Sequence, residues 1–576
     1  MNNNAPTSTN VAEFCFPPTY GDWGSRLLRG ASCICGVLGS KRIFYGTTTV
    51  LAFVSFLVLA LQIPRGLGCS DEAWYMLLVR EGLPGNGSAW TRVLGFMPDS
   101  VVAWRLLSLI IRVLSGALLC LGLLRFSGIQ KKRIFWIFLS AAIILAADPS
   151  PVFAASYYNI NELFFSLSFA LAAFSCGKNK TRGLILPFFS GMALFFLGPV
   201  FPTNFPPCLV VVLAVICQNR NQNIHIGFKL IVFLLGLIAG AMLFFSSCMP
   251  LLEYLGMFRS VLAGSGGASS SHGFKNLLMW IEKSGIYVCF RIVLPAFVLH
   301  CGFMRRRDVF MGAPAFSIAL VAFLFGSLLS VTRPVYDFVN GFEPQLPAEW
   351  PWIVAVFLVL LSSIWKRNGD LMFLLVVLLI PIALSFGTVV SLATRSRIYV
   401  WPFVVAAFIK AELTVSPGAF RKVRGGLLLL VVFSCVFSLR QHTGSWILLE
   451  RNFFCPRTKD ETSGLELSAQ FAANVESCRK AGLGHSIVQP FSRTDWRYIY
   501  ALGATPISFS FECERLNLAH VLEFSHTPNV FFIVPSKSSW NTVLEDAGNT
   551  SGDRVSRVLS FDDFDGRRVV YEVHRK

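Results

Sequence analysis

Two carboxylates stand side by side at Asp71 and Glu72, in the run Gly68-Cys69-Ser70-Asp71-Glu72-Ala73-Trp74-Tyr75, just beyond the first long apolar stretch. Neighbouring acids at a helix start or tight turn point in different directions, so one can act as a base while the other is held by a cation or by backbone donors. The plainer alternative is a solvated pair favoured by the helix dipole, and the pair taken alone favours that alternative. A third acid, Glu162, opens a later apolar stretch within Tyr157-Tyr158-Asn159-Ile160-Asn161-Glu162. Asp148 is an alternative second acid, although Asp148-Pro149-Ser150-Pro151 reads first as a turn and cap.

Cations accompany these acids. Arg105, Ser108, Arg112 and Ser115 repeat at spacings of three and four inside an apolar stretch, which places them on one helical face turned into a bundle. An ionisable group there needs a partner, because burying it alone costs several kcal/mol. The two arginines can bind a lipid phosphate or pair with Asp71, Glu72 or Glu162, and Arg105 is the better candidate for substrate. Arg395 and Arg397 interrupt another apolar region, and a guanidinium suits a phosphate by its fork geometry and permanent charge. Tyr75, beside the acid pair, is a further candidate for contact with substrate, and His272, Lys275 and Arg333 are weaker candidates, each more simply read as solvated.

The elements that would position these groups are apolar helices. Of 576 residues, 54% are hydrophobic and 14% charged, far from the roughly 25% charged residues of soluble domains. About thirteen runs, from 44–63 to 425–440, approach the length needed to cross a hydrocarbon core, although those at 134, 204 and 350 are short. The formal charge of +18 does not indicate nucleic acid. The Lys and Arg concentrate in alternate loops, such as Lys131-Lys132-Arg133 and Arg305-Arg306-Arg307, as the positive-inside rule requires of a polytopic membrane protein. That alternation places segment 1–43 in the cytoplasm, a transmembrane domain over 44–440, and residues 441–576 outside. The loops at 64–100, 148–157, 250–284, 332–349 and 391–396 share the outer side. Arg395 and Arg397 therefore lie against the trend, with interfacial anchoring as the alternative to phosphate binding.

The tail reads as a small α/β domain. Strands are expected at Ser486 to Pro490, Val530 to Val534, Arg554 to Phe561 and Arg567 to His574, and helices at Leu516 to Glu523 and Trp540 to Asp546. No glycine fingerprint for nucleotides occurs there. No Cys or His spacing suggests zinc, and Cys455, Cys478 and Cys513 could supply one disulfide in an oxidising compartment. The Gly/Ser-rich stretch Ala263 to His272 is either a mobile flap over a site or a bare linker.

The order of features resembles the C-type glycosyltransferases, which include the protein O-mannosyltransferases and the lipid A aminoarabinose transferases. The likeness rests on one span, an outer loop opening with Asp71-Glu72 and followed by Trp74 and Tyr75, and Glu162 at the outer start of the fourth span. It is best over residues 44 to about 200. It implies that Asp71 acts as or positions the base for an acceptor, and that a basic residue near Arg395 and Arg397 holds the leaving phosphate. It also implies a polyprenyl-phosphate-linked sugar donor, a lipid, glycan or protein acceptor, and either no cofactor or a divalent cation, Mg or Mn, held by Asp71 and Glu162. Glu162 stands where the family commonly has Asp, which lengthens the carboxylate. A bacterial inner membrane with a periplasmic tail is the expected setting. A transporter or flippase of lipid-linked saccharide is the competing expectation, with Arg105, Arg112 and the acids lining a path.

Overall fold

The computed structural model describes residues 33–66, 72–81, 89–98, 100–129, 133–148, 155–176, 180–218, 225–265, 281–282, 284–305, 346–362, 368–386, 392, 399–415, 417–444, 457–460, 465–506, 529–542, 544, 554–563 and 566–574. Among the described residues five helices are long and apolar enough to cross a membrane: Lys41–Gln62, Val101–Phe126, Thr181–Val200, Ile226–Ser247 and Ser284–Cys301. Ile134–Ala147, Phe205–Cys217, Glu349–Ser362 and Leu371–Ser385 are shorter apolar helices. The expected span over 309–331 lies outside the described residues.

Helix α1 (Lys41–Gln62) leads to a turn at 63–66, and α2 (Glu72–Arg80) follows. The bundle continues through α3 (Val101–Phe126), α4 (Arg133–Ala147), α5 (Tyr157–Ser175) and α6 (Lys180–Val200). Close approach of α3 to its neighbours depends on two glycines. A Cβ at Gly116 would lie 2.3 Å from Ile144 Cδ1 on α4, and one at Gly122 would lie 2.8 Å from Phe169 Cδ1 on α5. Helix α7 (Phe205–Cys217), α8 (Ile226–Ser247) and α9 (Leu251–Ser265) come next. Helix α9 occupies the first half of what the sequence suggests is a loop at 250–284, because Leu251 to Leu262 carries no internal breaker beyond Gly256.

A π-helical segment, Val288–Val293, runs into α10 (Leu294–Arg305), and α11 (Leu346–Ser362), α12 (Asn368–Ser385), α13 (Trp401–Thr414) and α14 (Pro417–Gly444) follow among the described residues. From Trp401 to Ala411 every residue of α13 is buried, as expected of a helix apolar on all sides at the centre of a bundle. Peripheral helices do the reverse. Phe53, Phe56 and Leu61 on α1 and Ile231, Leu234 and Met242 on α8 are exposed, an apolar outer face that hydrocarbon accommodates and water does not.

The tail carries β1 (Arg457–Lys459), β2 (Glu466–Ser468), α15 (Ala469–Lys480), β3 (Val488–Pro490), α16 (Trp496–Leu502), β4 (Asn529–Pro535), β5 (Arg554–Asp563) and β6 (Gly566–His574). The sheet order is β3-β4-β6-β5, parallel between β3 and β4 and antiparallel elsewhere, with a bulge between Arg557 and Leu559 on the edge strand. All four expected strands are present. Of the expected tail helices, 516–523 lies outside the described residues and the other is helical at 540–542 and 544. Two buried ion pairs close the domain, Arg497 with Asp563 and Arg568 with Asp495. Cys478 is a free, buried thiol rather than half of a disulfide, while Cys455 and Cys513 lie outside the described residues.

The domain is not a separate bead. One continuous apolar core joins Trp74 to Leu78, Trp104 and Ile160 with Leu467, Phe471, Ile499 and Phe532. The starts of α3 and α5 and the end of α6 therefore form the domain end of the bundle.

Candidate active site

The site grows from Arg105, four residues into α3 and fully buried. Its Nε donates to Glu72 Oε1 at 2.8 Å and its Nη2 to Glu72 Oε2 at 2.6 Å. Nη1 donates to the carbonyls of Ile63 and Arg65 at 2.6 and 2.9 Å, and Nη2 also reaches the carbonyl of Gly66 at 2.5 Å. A guanidinium has five N–H donors, and these contacts use all five. Of the two expectations for Arg105, a lipid phosphate or a partner among the acids, the structure shows the pair with Glu72. Glu72 is the first residue of α2 and is buried, not solvated as the plainer expectation had it.

This arrangement holds both residues that flank 67–71. Gly66 and Glu72 are held by the same nitrogen of Arg105, and the turn is clamped from the other side by the domain. Gly66 N–H donates to the carbonyl of Glu466 at 2.8 Å, and Glu466 N–H donates to the carbonyl of Pro64 at 3.0 Å. Arg65 and Glu466 form a parallel β-bridge, and Arg80 at the end of α2 donates to the carbonyl of Ala504 at 3.0 Å. Asp71 itself lies outside the described residues, as do Arg395, Arg397 and His272.

Aromatic rings surround this junction. Tyr75 packs on Trp74 at 5.3 Å and edge-on against Trp90 and Tyr157 at 5.4 and 5.9 Å between centroids. Trp74, Tyr75 and Trp90 are buried, and Tyr157 and Tyr158 are partly exposed. Tyr75, named from sequence as a substrate contact, forms part of this packed group.

Deeper in the bundle the acids and cations meet again. The Arg112 Nε lies 3.4 Å from Asp148 Oδ2, with both side chains largely buried. Ser438 on α14 donates to the carbonyl of Asp148 at 2.8 Å. Asp148, read from sequence first as a turn and cap, is half of a buried ion pair, because the packing of α4 on α3 brings the end of α4 to the level of Arg112, while Pro149 to Pro151 lie outside the described residues. Glu162, on α5 and 2% exposed, lies within electrostatic range of both. Ser108 and Ser115 are buried on the same face of α3 as Arg105, as the spacing requires.

Sequence reasoning missed one further constellation. Arg291, within the π-helical segment, donates through Nη2 to both carboxylate oxygens of Glu349 at 3.1 Å, and the Tyr287 hydroxyl donates to Oε1 at 2.9 Å. Glu349 is completely buried. An arginine inside an apolar run was the available signal, and a π-helical turn is a frequent mark of function. Among the described residues no three His, Cys, Asp or Glu side chains gather as a metal-binding group.

No protein-family model matches the chain, and no curated protein matches it. Among solved structures the chain is similar to the oligosaccharyltransferase of Archaeoglobus fulgidus, crystallised tethered to an acceptor peptide containing the NVT sequon. That match has 12% identity, covers 92% of this chain and 74% of that one, and has a TM-score of 0.44.

Proposed function

We propose that this chain is a membrane glycosyltransferase, moving a sugar from a polyprenyl-phosphate-linked donor to a lipid, glycan or protein acceptor at the domain end of the bundle. The observation that carries the reading is the Arg105 junction. One buried guanidinium holds together the turn at 63–66 and Glu72, the residue next to Asp71. Catalytic groups work only when so preorganised.

In this reading Asp71 takes the proton of an acceptor hydroxyl as its oxygen attacks the anomeric carbon. The bond from that carbon to the phosphate oxygen breaks, the electron pair leaves with the phosphate, and the anomeric centre inverts. Arg395 or Arg397 would neutralise the departing charge, or a divalent cation between Asp71 and Glu162 would do so. Glu72 serves as a positioning residue through Arg105. The apolar outer faces keep the donor's tail in lipid. The setting proposed is a bacterial inner membrane, with the domain periplasmic and the N-terminus cytoplasmic.

Membranes containing the protein, given polyprenyl-phosphate hexose labelled in the sugar, should transfer label to an acceptor when membranes lacking it do not. One observation favours a second reading, a transporter or flippase. The Arg112–Asp148 pair with nearby Glu162 sits about 10 Å deeper than Arg105 along α3, where a translocation path would need charge. Vesicles reconstituted with the protein and no acceptor separate the two, since a flippase moves labelled lipid-linked saccharide between leaflets without consuming it.

A further inference from the structure

We propose that Tyr157 and Tyr158 form the face on which the sugar ring of the donor stacks, an inference that rests on the glycosyltransferase reading and adds a substrate subsite to it. The two rings lie 3.9 Å apart between centroids, and the Tyr157 hydroxyl donates to that of Tyr158. Phe201, at the end of α6, closes the group at 5.3 Å from Tyr157 and 6.1 Å from Tyr158. All three are partly exposed, whereas Tyr75 and Trp90 behind them are buried. Tyr75 meets Tyr157 edge-on and Trp90 lies tilted against it, so the platform is rigid before any ligand arrives.

Two observations select a sugar over a plain apolar occupant. The platform sits at the domain end of α5, in ring contact through Tyr157 with Tyr75, three residues beyond Glu72. Its two phenol oxygens supply a polar edge beside an aromatic face, which matches a pyranose with its C–H face and flanking hydroxyls. A lipid chain would gain nothing from the paired phenols.

The test is binding, not turnover. Purified full-length protein in detergent is titrated with farnesyl phosphate and with farnesyl-phosphoryl glucose, galactose and mannose. The wild type should bind at least one sugar-bearing lipid about five- to tenfold more tightly than farnesyl phosphate, the range one aromatic face supplies. Tyr158→Ala should bring that preference below about twofold while leaving the Kd for farnesyl phosphate unchanged, and Tyr158→Phe should keep most of it. Unchanged farnesyl phosphate binding by the Ala variant excludes simple misfolding. A wild type without sugar preference, or a Tyr158→Ala variant that retains it, overturns the subsite and leaves the glycosyltransferase reading standing. If neither kind of lipid binds, both fall.

Discussion

Arg105 and Glu72 meet fork to fork inside the protein, with Nε and Nη2 at 2.8 and 2.6 Å from the two carboxylate oxygens and both side chains fully buried. The same guanidinium satisfies three backbone carbonyls, so the pair organises a turn as well as neutralising two charges. Leaving either partner alone costs about 3–5 kcal/mol. Arg105→Ala and Glu72→Leu should each lower the unfolding temperature markedly in a detergent thermal-shift measurement. An isolated buried pair is often replaced by apolar residues without loss. Here the double variant Arg105→Met, Glu72→Leu should stay destabilised, because the carbonyls of Ile63, Arg65 and Gly66 lose their donor. Recovery of wild-type stability in that double variant would show that the carbonyl contacts contribute nothing.

The bridge between Arg65 and Glu466 predicts that the turn and the domain can be cross-linked. Bridged residues lie within the Cα separation that a disulfide tolerates. The variant Arg65→Cys, Glu466→Cys should form an intramolecular disulfide under mild oxidation, detected as a cross-linked peptide by mass spectrometry. A control such as Arg65→Cys with Lys537→Cys should not. Equal yields from both would mean that the turn does not rest on the domain.

The domain's core has a chemical signature at Cys478. Burial, with the Asp495 carboxylate adding to it, pushes this thiol up to about 12. Thiolate is the reactive form, so at pH 8 Cys478 should resist iodoacetamide in the folded protein and react once the domain is unfolded, read by peptide mass spectrometry. The linkage has a definite sign. The folded thiol holds its proton more tightly than the unfolded one, so its contribution to stability is complete below the ordinary thiol value of 9.0 and is lost as pH rises from there towards about 12. Rapid labelling at pH 8 under native conditions would contradict the buried placement.

Much of this was legible in the sequence where a repeat of known period was at work. The spacing of Arg105, Ser108, Arg112 and Ser115 announced an inward face on α3, and short β-branched and aromatic runs, with the turn sequence Asp563-Phe564-Asp565-Gly566 between the last two, announced β4, β5 and β6. Partnerships were harder. Nothing local says that Arg105 takes Glu72 while Arg112 takes Asp148, since both choices follow from how far α3 lies from the α1–α2 turn and from α4, distances set by contacts such as that at Gly116. Asp148 looked like a turn residue because Pro149 follows it, and burial of its side chain depends on α3, not on its neighbours in sequence. Arg291 and Glu349 are separated by 58 positions, so their pairing has no local signature. Strands β1 and β2, three residues each, are too short to show a period.

The central claim, that the stretch held by the Arg105 junction carries the catalytic base, is tested most directly by Asp71→Asn. Membranes bearing this variant at wild-type abundance are supplied with polyprenyl-phosphate hexose labelled in the sugar, and transfer to acceptor is counted. Loss of a general base predicts a fall of about 10²- to 10⁴-fold in rate with the donor still bound. Transfer at the wild-type rate would contradict the account.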